Sequence, residues 1–332
     1  MNLLYLSCHS IAEYEELKMF SELGITCISQ GTYNDPNNLG ADVARPKLDL
    51  PYFPDLNPLA KLEWITRIDP IPAQLIDWAD VIYMHGIERW LPVNWERIKR
   101  KHVVFRCNGQ SVAHTESVLG QYRPQGLKVV RYSPYEEKIP GYCGADALIR
   151  FYKDEDEYKG WTGEKQEVVT VAQSMKVRDV ASRYSVFEAV TRGLPRRLYG
   201  NGNNPKEESW WVGPVSYEEL KRVYRENRVY FYTCTFPAQY TMNFMEAWMT
   251  GIPVVAIGPG LAGYRVETEF LIDSGYNGVV SDDGSELRSW IEKLLYDPME
   301  GKRMGEAGRK TAVEYFGKDK IKAKWKRFFD SL

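Results

Sequence analysis

Short apolar runs alternate with stretches of helical periodicity from the first residues onward. Leu3–Ser7 predicts a strand, Ile11–Leu23 a helix and Ile25–Ser29 a second strand, with Gly24 placed to end the helix. The alternation resumes with amphipathic Leu75–Trp78, a strand over Asp80–His85, a helix over Trp95–Lys101 and a strand over His102–Arg106. Further strands are predicted at Lys128–Tyr132 and Ala145–Phe151. In the second half, strands over Glu167–Ala172, Arg197–Tyr199, Val229–Tyr232, Ile252–Ile257 and Gly278–Val280 interleave with helices. Those helices are Tyr184–Arg192, Ser216–Glu226, Tyr240–Thr250 and Ser285–Leu295. A last helix, Lys318–Leu332, carries Ile321, Trp325, Phe328 and Phe329 on one stripe. Strand and helix in regular alternation mean βα units and parallel sheets, so the predicted class is α/β with two Rossmann-like domains facing a cleft. Their boundaries are predicted as 1–153 and 167–315, with a charged linker over 154–166 and a terminal helix over 316–332.

One stretch breaks the pattern. Gly31–Ala60 carries Pro36, Pro46, Pro51, Pro54 and Pro58 among many Asn and Asp, and no regular element fits it. So long an excursion in a compact domain suits a binding loop, with Tyr52 and Phe53 offering flat faces for stacking. A surface insertion that only pads the fold is the alternative.

The length of 332 residues suits two domains, and 44% hydrophobic with 27% charged residues is ordinary globular composition. A net charge of -2 argues against a dedicated nucleic-acid binder. No run is long and apolar enough to span a bilayer, and MNLLYLSCHS lacks the basic start of a signal peptide. Cys8, Cys27, Cys107, Cys143 and Cys234 are odd in number and scattered, which suits reduced thiols in a cytoplasmic protein without a structural metal.

Chemistry enters at Phe236–Val255, where a strand, a turn and a helix follow one another and Gly251 and Pro253 close the helix. The helix start near Gln239, Tyr240 and Thr241 is a natural seat for phosphate. Within the helix, Glu246 stands among Phe244, Met245, Ala247, Trp248 and Met249. A carboxylate in such surroundings either reaches solvent or receives specific hydrogen bonds, for instance from ribose hydroxyls.

Glu246 to Val255, reading Glu-Ala-x-x-x-Gly-x-Pro-Val-Val, resembles the donor site of GT-B glycosyltransferases, and more narrowly the retaining family 4 (group 1) type. The resemblance extends through Val171–Asp179, Leu198–Asn203, Val212–Ser216 with Glu218–Leu220, and Gly275–Val280. It reaches the terminal helix with Trp325, which resembles one that crosses back to the first domain. Six such segments in order over the second half make the likeness specific. It implies a GT-B fold and transfer of a sugar from a nucleoside-diphosphate-sugar, UDP or GDP first, without metal or other cofactor. The implied donor contacts are Glu246 on ribose, Val215 at the base, Gly200 and Asn201 beside the nucleotide, and Arg178, Arg183 and Lys176 at the diphosphate. Solvated surface cations are the alternative for Lys176 and Arg178. The sequence departs from the family where a Glu commonly stands eight positions before Glu246; this chain has Ala238, and the turn lacks the usual glycines.

In the first half, His85 ends a strand and is followed by Gly86, a place where parallel sheets carry functional side chains, and the resemblance implies that it contacts donor sugar or acceptor. Asn108 and Gln110 follow the next strand and suit either acceptor hydroxyls or loop capping. His9, after the first strand, is a weaker candidate of the same kind. Because the donor motifs all lie in the second half, the Gly31–Ala60 loop with Tyr52 and Phe53 is placed on the acceptor side. Asp154-Glu-Asp156 imitates a metal-binding Asp-x-Asp but lies in the charged linker. The tail has six Lys or Arg between Lys318 and Arg327, so weak contact with an anionic membrane surface is weighed against a solvated face. The acceptor is left open among glycan, lipid, small molecule and nucleobase. Two other functions fit the same residues: a nucleotide-sugar-binding protein without transferase activity, prompted by Ala238, and a nucleotide-sugar epimerase.

Overall fold

The computed structural model describes residues 1–29, 33, 45, 46, 48 and 70–332. The loop expected over Gly31–Ala60, with Tyr52 and Phe53, lies almost wholly outside them. Among the described residues the chain divides into two units: the chain up to Phe151 together with Asp319–Leu332, and Tyr152–Lys318.

The first unit runs β1 (Asn2–Ser7), α1 (Ser10–Glu22), β2 (Thr26–Ser29), α2 (Ala73–Trp78), β3 (Val81–His85), α3 (Trp90–Ile98), β4 (His102–Arg106), α4 (Ala113–Tyr122), β5 (Lys128–Arg131) and β6 (Ala147–Leu148). Its strands pair in parallel in the order β2-β1-β3-β4-β5-β6. Leu3, Leu4, Leu6, Val81, Ile82, Val103 and Val104 are all buried, as expected for a parallel sheet covered on both faces. His9 caps α1, its Nδ1 accepting from the Ala12 amide at 3.3 Å.

The second unit runs β7 (Lys165–Val171), α5 (Asp179–Ser182), α6 (Tyr184–Thr191), β8 (Arg196–Tyr199), β9 (Trp211–Gly213), α7 (Tyr217–Glu226), β10 (Asn227–Tyr232), α8 (Met242–Thr250), β11 (Val254–Ile257), α9 (Pro259–Ala262), α10 (Thr268–Leu271), β12 (Val279–Ser281), α11 (Gly284–Tyr296) and α12 (Pro298–Phe316). Its parallel order is β12-β11-β10-β7-β8-β9. Counted from β7 this is the doubly wound order of dinucleotide-binding sheets, which reverses direction between β7 and β10. In the first sheet the reversal falls between β1 and β3. Those two points are where open α/β sheets hold ligands, beyond the strands' carboxyl ends.

The chain closes with α13 (Lys318–Asp330), whose stripe joins the core of the first unit. Trp325 packs edge-on against Phe20 at 5.2 Å and Tyr83 at 5.8 Å. Ile321, Phe328 and Phe329 are buried with it, so this stripe has no apolar face left for a membrane surface.

Several elements depart from expectation, among them β9, α5, α9 and α10, which the pattern did not show. The strand predicted over Ala145–Phe151 shrinks to β6, and α3 starts at Trp90, ahead of Trp95. α4 and α12 are helices that the pattern did not show. α12 is disguised by glycines: a Cβ on Gly305 would lie 2.0 Å from the Gly251 carbonyl oxygen, and one on Gly308 2.5 Å from Trp248 Nε1. These are close helix approaches that only hydrogen permits. Tyr158, in the segment read as a linker, is buried and meets Tyr217 at a ring distance of 6.4 Å.

Candidate functional site

At the reversal point of the second sheet, hydrogen bonds gather four segments. The Ser174 amide donates to the Asn201 carbonyl at 2.7 Å and the Met175 amide to Asn203 Oδ1 at 3.0 Å, joining the loops after β7 and β8. Asn203 Nδ2 returns a bond to the Ala172 carbonyl at 2.7 Å. Gly200 sits at φ +117°, and a Cβ there would meet the Ala172 carbonyl oxygen at 2.4 Å. The start of α8 is drawn in by Asn243, whose Nδ2 donates to the Val171 carbonyl. The turn after β10 is tied by the Phe236 amide to Ala181 at 2.8 Å and by Thr233 Oγ1 to Ser182 at 2.7 Å.

Ser174, Arg183 and Cys234 are the non-glycine residues with positive φ among those described, at +44°, +57° and +65°. All three lie in these segments. Strained backbone concentrates where ligands are bound, and here it marks the end of the sheet that the topology selects. Nothing in the sequence signals Ser174 or Cys234, since neither is a residue type that favours this conformation.

The candidate cations differ in setting. Arg183 joins α5 to α6, and its Nε and Nη2 both donate to the Ala262 carbonyl, the former at 2.9 Å. Arg178 is exposed, and Lys176 is exposed with its ammonium 5.7 Å from the Trp211 ring. Thr241 is the N-cap of α8, with Gln239 and Tyr240 buried just before it. Val215 is half-buried immediately before Ser216, whose Oγ caps α7 by accepting from the Glu219 amide at 3.2 Å. Ala238 lies in the turn, its carbonyl accepting from Tyr264 Oη at 3.0 Å.

Glu246 does not reach solvent. It is 2% exposed, and Oε1 accepts from Lys153 Nζ at 2.7 Å while Oε2 accepts from Tyr224 Oη at 3.3 Å. Lys153 is itself fully buried, 5.5 Å from the Tyr158 ring, with its amide donating to Phe316 at 3.0 Å. The carboxylate flagged by its apolar neighbours is therefore one half of a buried ion pair. Its partner could not be found by spacing, because it lies 93 residues away.

At the reversal point of the first sheet, His85 meets a second buried assembly. Tyr5 Oη lies 2.6 Å from Glu16 Oε2 and 2.8 Å from His85 Nδ1. Tyr83 Oη donates to the same Glu16 oxygen at 2.8 Å, and Arg106 Nε donates to Oε1 at 3.0 Å. All five side chains are buried. Burial, then the charges of His9 and Arg106, hold the His85 pKa well below its ordinary value. Burial, then Glu16, push the Tyr5 and Tyr83 phenols well up. His85 Nε2 is enclosed with no hydrogen-bond partner among the described residues.

Around His85 the other first-half candidates assemble. His9 stacks at 6.3 Å with a 7° interplanar angle. Asn108 occupies the space beside Gly86, where a Cβ would come within 2.1 Å of its Nδ2. Its Oδ1 accepts from the Gln110 amide at 3.1 Å, and the Gln110 side chain is exposed. Asp154 and Asp156 are engaged by lysines, Asp154 with Lys318 at 3.3 Å and Asp156 with Lys159 at 2.7 Å. All five cysteines are free thiols. No described helix is long and apolar enough to cross a membrane.

Residues 183–320 match a family described as glycosyl transferase-like. Over the whole chain the fold is similar to sucrose-phosphate synthase of Thermosynechococcus elongatus, with a TM-score of 0.70 at 13% identity, covering 100% of this chain and 98% of that one. HepE of Anabaena, solved with UDP and glucose, gives 0.68 at 16% identity with 100% of both chains covered. An alpha-glucosyltransferase solved with UDP-glucose and DNA containing an abasic site gives 0.63 at 11%, covering 99% of this chain and 98% of that one. None of the curated proteins compared with the chain matches it. The chain thus has the GT-B fold, two parallel six-stranded sheets in series, and within it residues 183–320 match the glycosyl transferase-like family.

Proposed function

We propose that this protein is a metal-independent, retaining glycosyltransferase that takes a sugar from a nucleoside-diphosphate-sugar, with UDP as the nucleotide to test first. The observation that carries the reading is the convergence, at the reversal point of the second sheet, of the α8 N-terminus with the Arg183 segment and the Gly200 loop. A helix N-terminus beside fixed cations is the environment that a departing diphosphate needs, because its charge grows in the transition state. Arg183, with Arg178 and Lys176, would hold the diphosphate against Gln239–Thr241. Val215 would lie near the base, with Gly200 and Asn201 beside the nucleotide, while Glu246, expected from the sequence to meet ribose hydroxyls, is instead buried in its pair with Lys153. His85 would hold a substrate hydroxyl, with Asn108, Gln110 and His9 on the acceptor side. In the reaction the acceptor oxygen bonds to the anomeric carbon, the bond from that carbon to phosphate breaks, and the acceptor's proton passes to the leaving phosphate oxygen.

The test is calorimetry and thermal shift with UDP, GDP, ADP, TDP and CMP and their sugars. A ligand at 100 times its Kd adds about 2.7 kcal/mol of stability. Arg183→Ala is expected to weaken binding of the preferred diphosphate by about 1.5 to 3 kcal/mol, the worth of a charged hydrogen bond. Turnover is expected to survive EDTA. Failure of every nucleotide to bind refutes the reading. Binding with no turnover supports the second reading, a nucleotide-sugar-binding protein, which Ala238 in the donor turn favours.

A further inference from the structure

We infer that Glu16, acting through Tyr5, fixes His85 as the Nδ1-protonated neutral tautomer, so that Nε2 presents a lone pair to a hydroxyl of the substrate. The inference rests on the reading of His85 as a substrate contact, and it makes Glu16 and Tyr5 positioning residues.

The argument is a count of protons. A phenol has one hydrogen and oxygen lone pairs. Tyr5 Oη lies 2.6 Å from Glu16 Oε2 and 2.8 Å from His85 Nδ1, so it donates to one and accepts from the other. Glu16 forms an ion pair with the Arg106 guanidinium, Nε at 3.0 Å, and already accepts from Tyr83 Oη at 2.8 Å. A carboxylate has no hydrogen to give, so Tyr5 must donate to it. The Tyr5 oxygen can then only accept from His85, and the hydrogen it accepts is on Nδ1. Which ring nitrogen of a histidine is protonated is set by the hydrogen bond that the other makes.

The remaining nitrogen has a matching position. Nε2 is enclosed and lacks a hydrogen-bond partner among the described residues. An enclosed acceptor without a donor costs stability unless a ligand supplies the donor. The ring is further constrained by its stacking on His9, at 6.3 Å, and on Phe151, at 5.8 Å. It ends β3, next to the reversal of strand order in the first sheet. The ligand group that suits this nitrogen is a hydroxyl donating its hydrogen, which a sugar or other polyol provides.

The experiment is a long-range ¹H–¹⁵N spectrum of imidazole-labelled protein at pH 7.5. The chain has four histidines, so a His85→Gln spectrum assigns the signal. The expected wild-type result is a protonated Nδ1 and a bare Nε2. A protonated Nε2, or an imidazolium, overturns the inference. In Glu16→Gln the side-chain amide can donate to Tyr5, which then donates to Nδ1, and the tautomer is expected to shift toward Nε2–H. An unchanged tautomer in that variant, when it is folded by near-UV circular dichroism, also overturns the role of Glu16. If the variant does not fold, the wild-type spectrum still decides the assignment. UDP-glucose, and not UDP, is expected to move the Nε2 resonance. The expected tautomer without that response overturns the substrate contact and leaves the Glu16–Tyr5–His85 chain standing, which separates the two claims.

Discussion

Replacing Lys153 by methionine would take from Glu246 the ammonium it pairs with in the core of the second unit. The pair is 2.7 Å long, and its side chains are 0% and 2% exposed. Tyr224, at 3.3 Å from the carboxylate, gives one neutral hydrogen bond and cannot replace an ammonium. Removing one partner of such a pair costs about 3 to 5 kcal/mol, most of it the price of desolvating the charge left behind. For a unit the size of Tyr152–Lys318, each kcal/mol lowers Tm by about 2 to 4 °C, so the expected fall is about 6 to 20 °C. The control has the same distance and a different setting: Lys159 and Asp156 are also 2.7 Å apart, but 57% and 83% exposed. Lys159→Met is expected to change Tm by under about 2 °C, because exposed pairs contribute little. The double variant Lys153→Met/Glu246→Leu removes both charges and is expected to recover most of the loss. Calorimetric melts of the four proteins decide. A Lys153→Met shift as small as that of Lys159→Met, or additive losses in the double variant, would refute the assignment.

Two further outcomes follow from geometry already described. His85 titrates below 6.5 in the folded chain, so between its folded and unfolded pKa the unfolded state binds the extra proton. Its stability contribution is therefore complete above pH 6.5 and is lost as pH falls below it, by up to about 1.4 kcal/mol per pH unit. In guanidinium titrations from pH 7 to 5, His85→Gln should show a shallower loss than wild type; identical slopes would refute the reading. Gly200→Ala places a Cβ 2.4 Å from a backbone oxygen at φ +117°, and backbone cannot swing aside as a side chain could. It should cost more than about 1 kcal/mol in thermal melts and weaken UDP binding in calorimetry. Normal values in both would show that this loop does not shape the site.

The strands were legible because parallel sheets bury both faces, which turns β1, β3, β4, β7 and β10 into apolar runs. Glu246 was legible for the converse reason, a charge where only apolar side chains surround it. What remained hidden was long-range. Glu13, Glu15 and Glu16 stand in α1, and glutamates are ordinarily exposed, yet all three are buried. Glu16 is buried because Tyr5, Tyr83 and Arg106 converge on it from three strands, and no local rule encodes that meeting. Lys153 was hidden in the same way. Its neighbours Asp154, Glu155 and Asp156 suggest a solvated run, but it turns inward to a carboxylate in α8. In α12 the glycines imitate a breaker, although their contacts are what close packing requires.

The placement of α13 bears on how the chain is made. Tyr152–Lys318 is continuous, so the second unit can close on itself as soon as it has emerged. The first unit is discontinuous, because its core includes Trp325 and Phe329 beside Phe20. Translation at about 5 to 20 residues per second interposes roughly 8 to 33 s of synthesis between Phe151 and Asp319. During that interval Phe20 and Tyr83 lack the aromatic cover that α13 supplies. The half of the protein that leaves the ribosome first is thus the half that finishes folding last, and a nascent chain interrupted before Asp319 would hold a complete second unit beside a first one still open to aggregation.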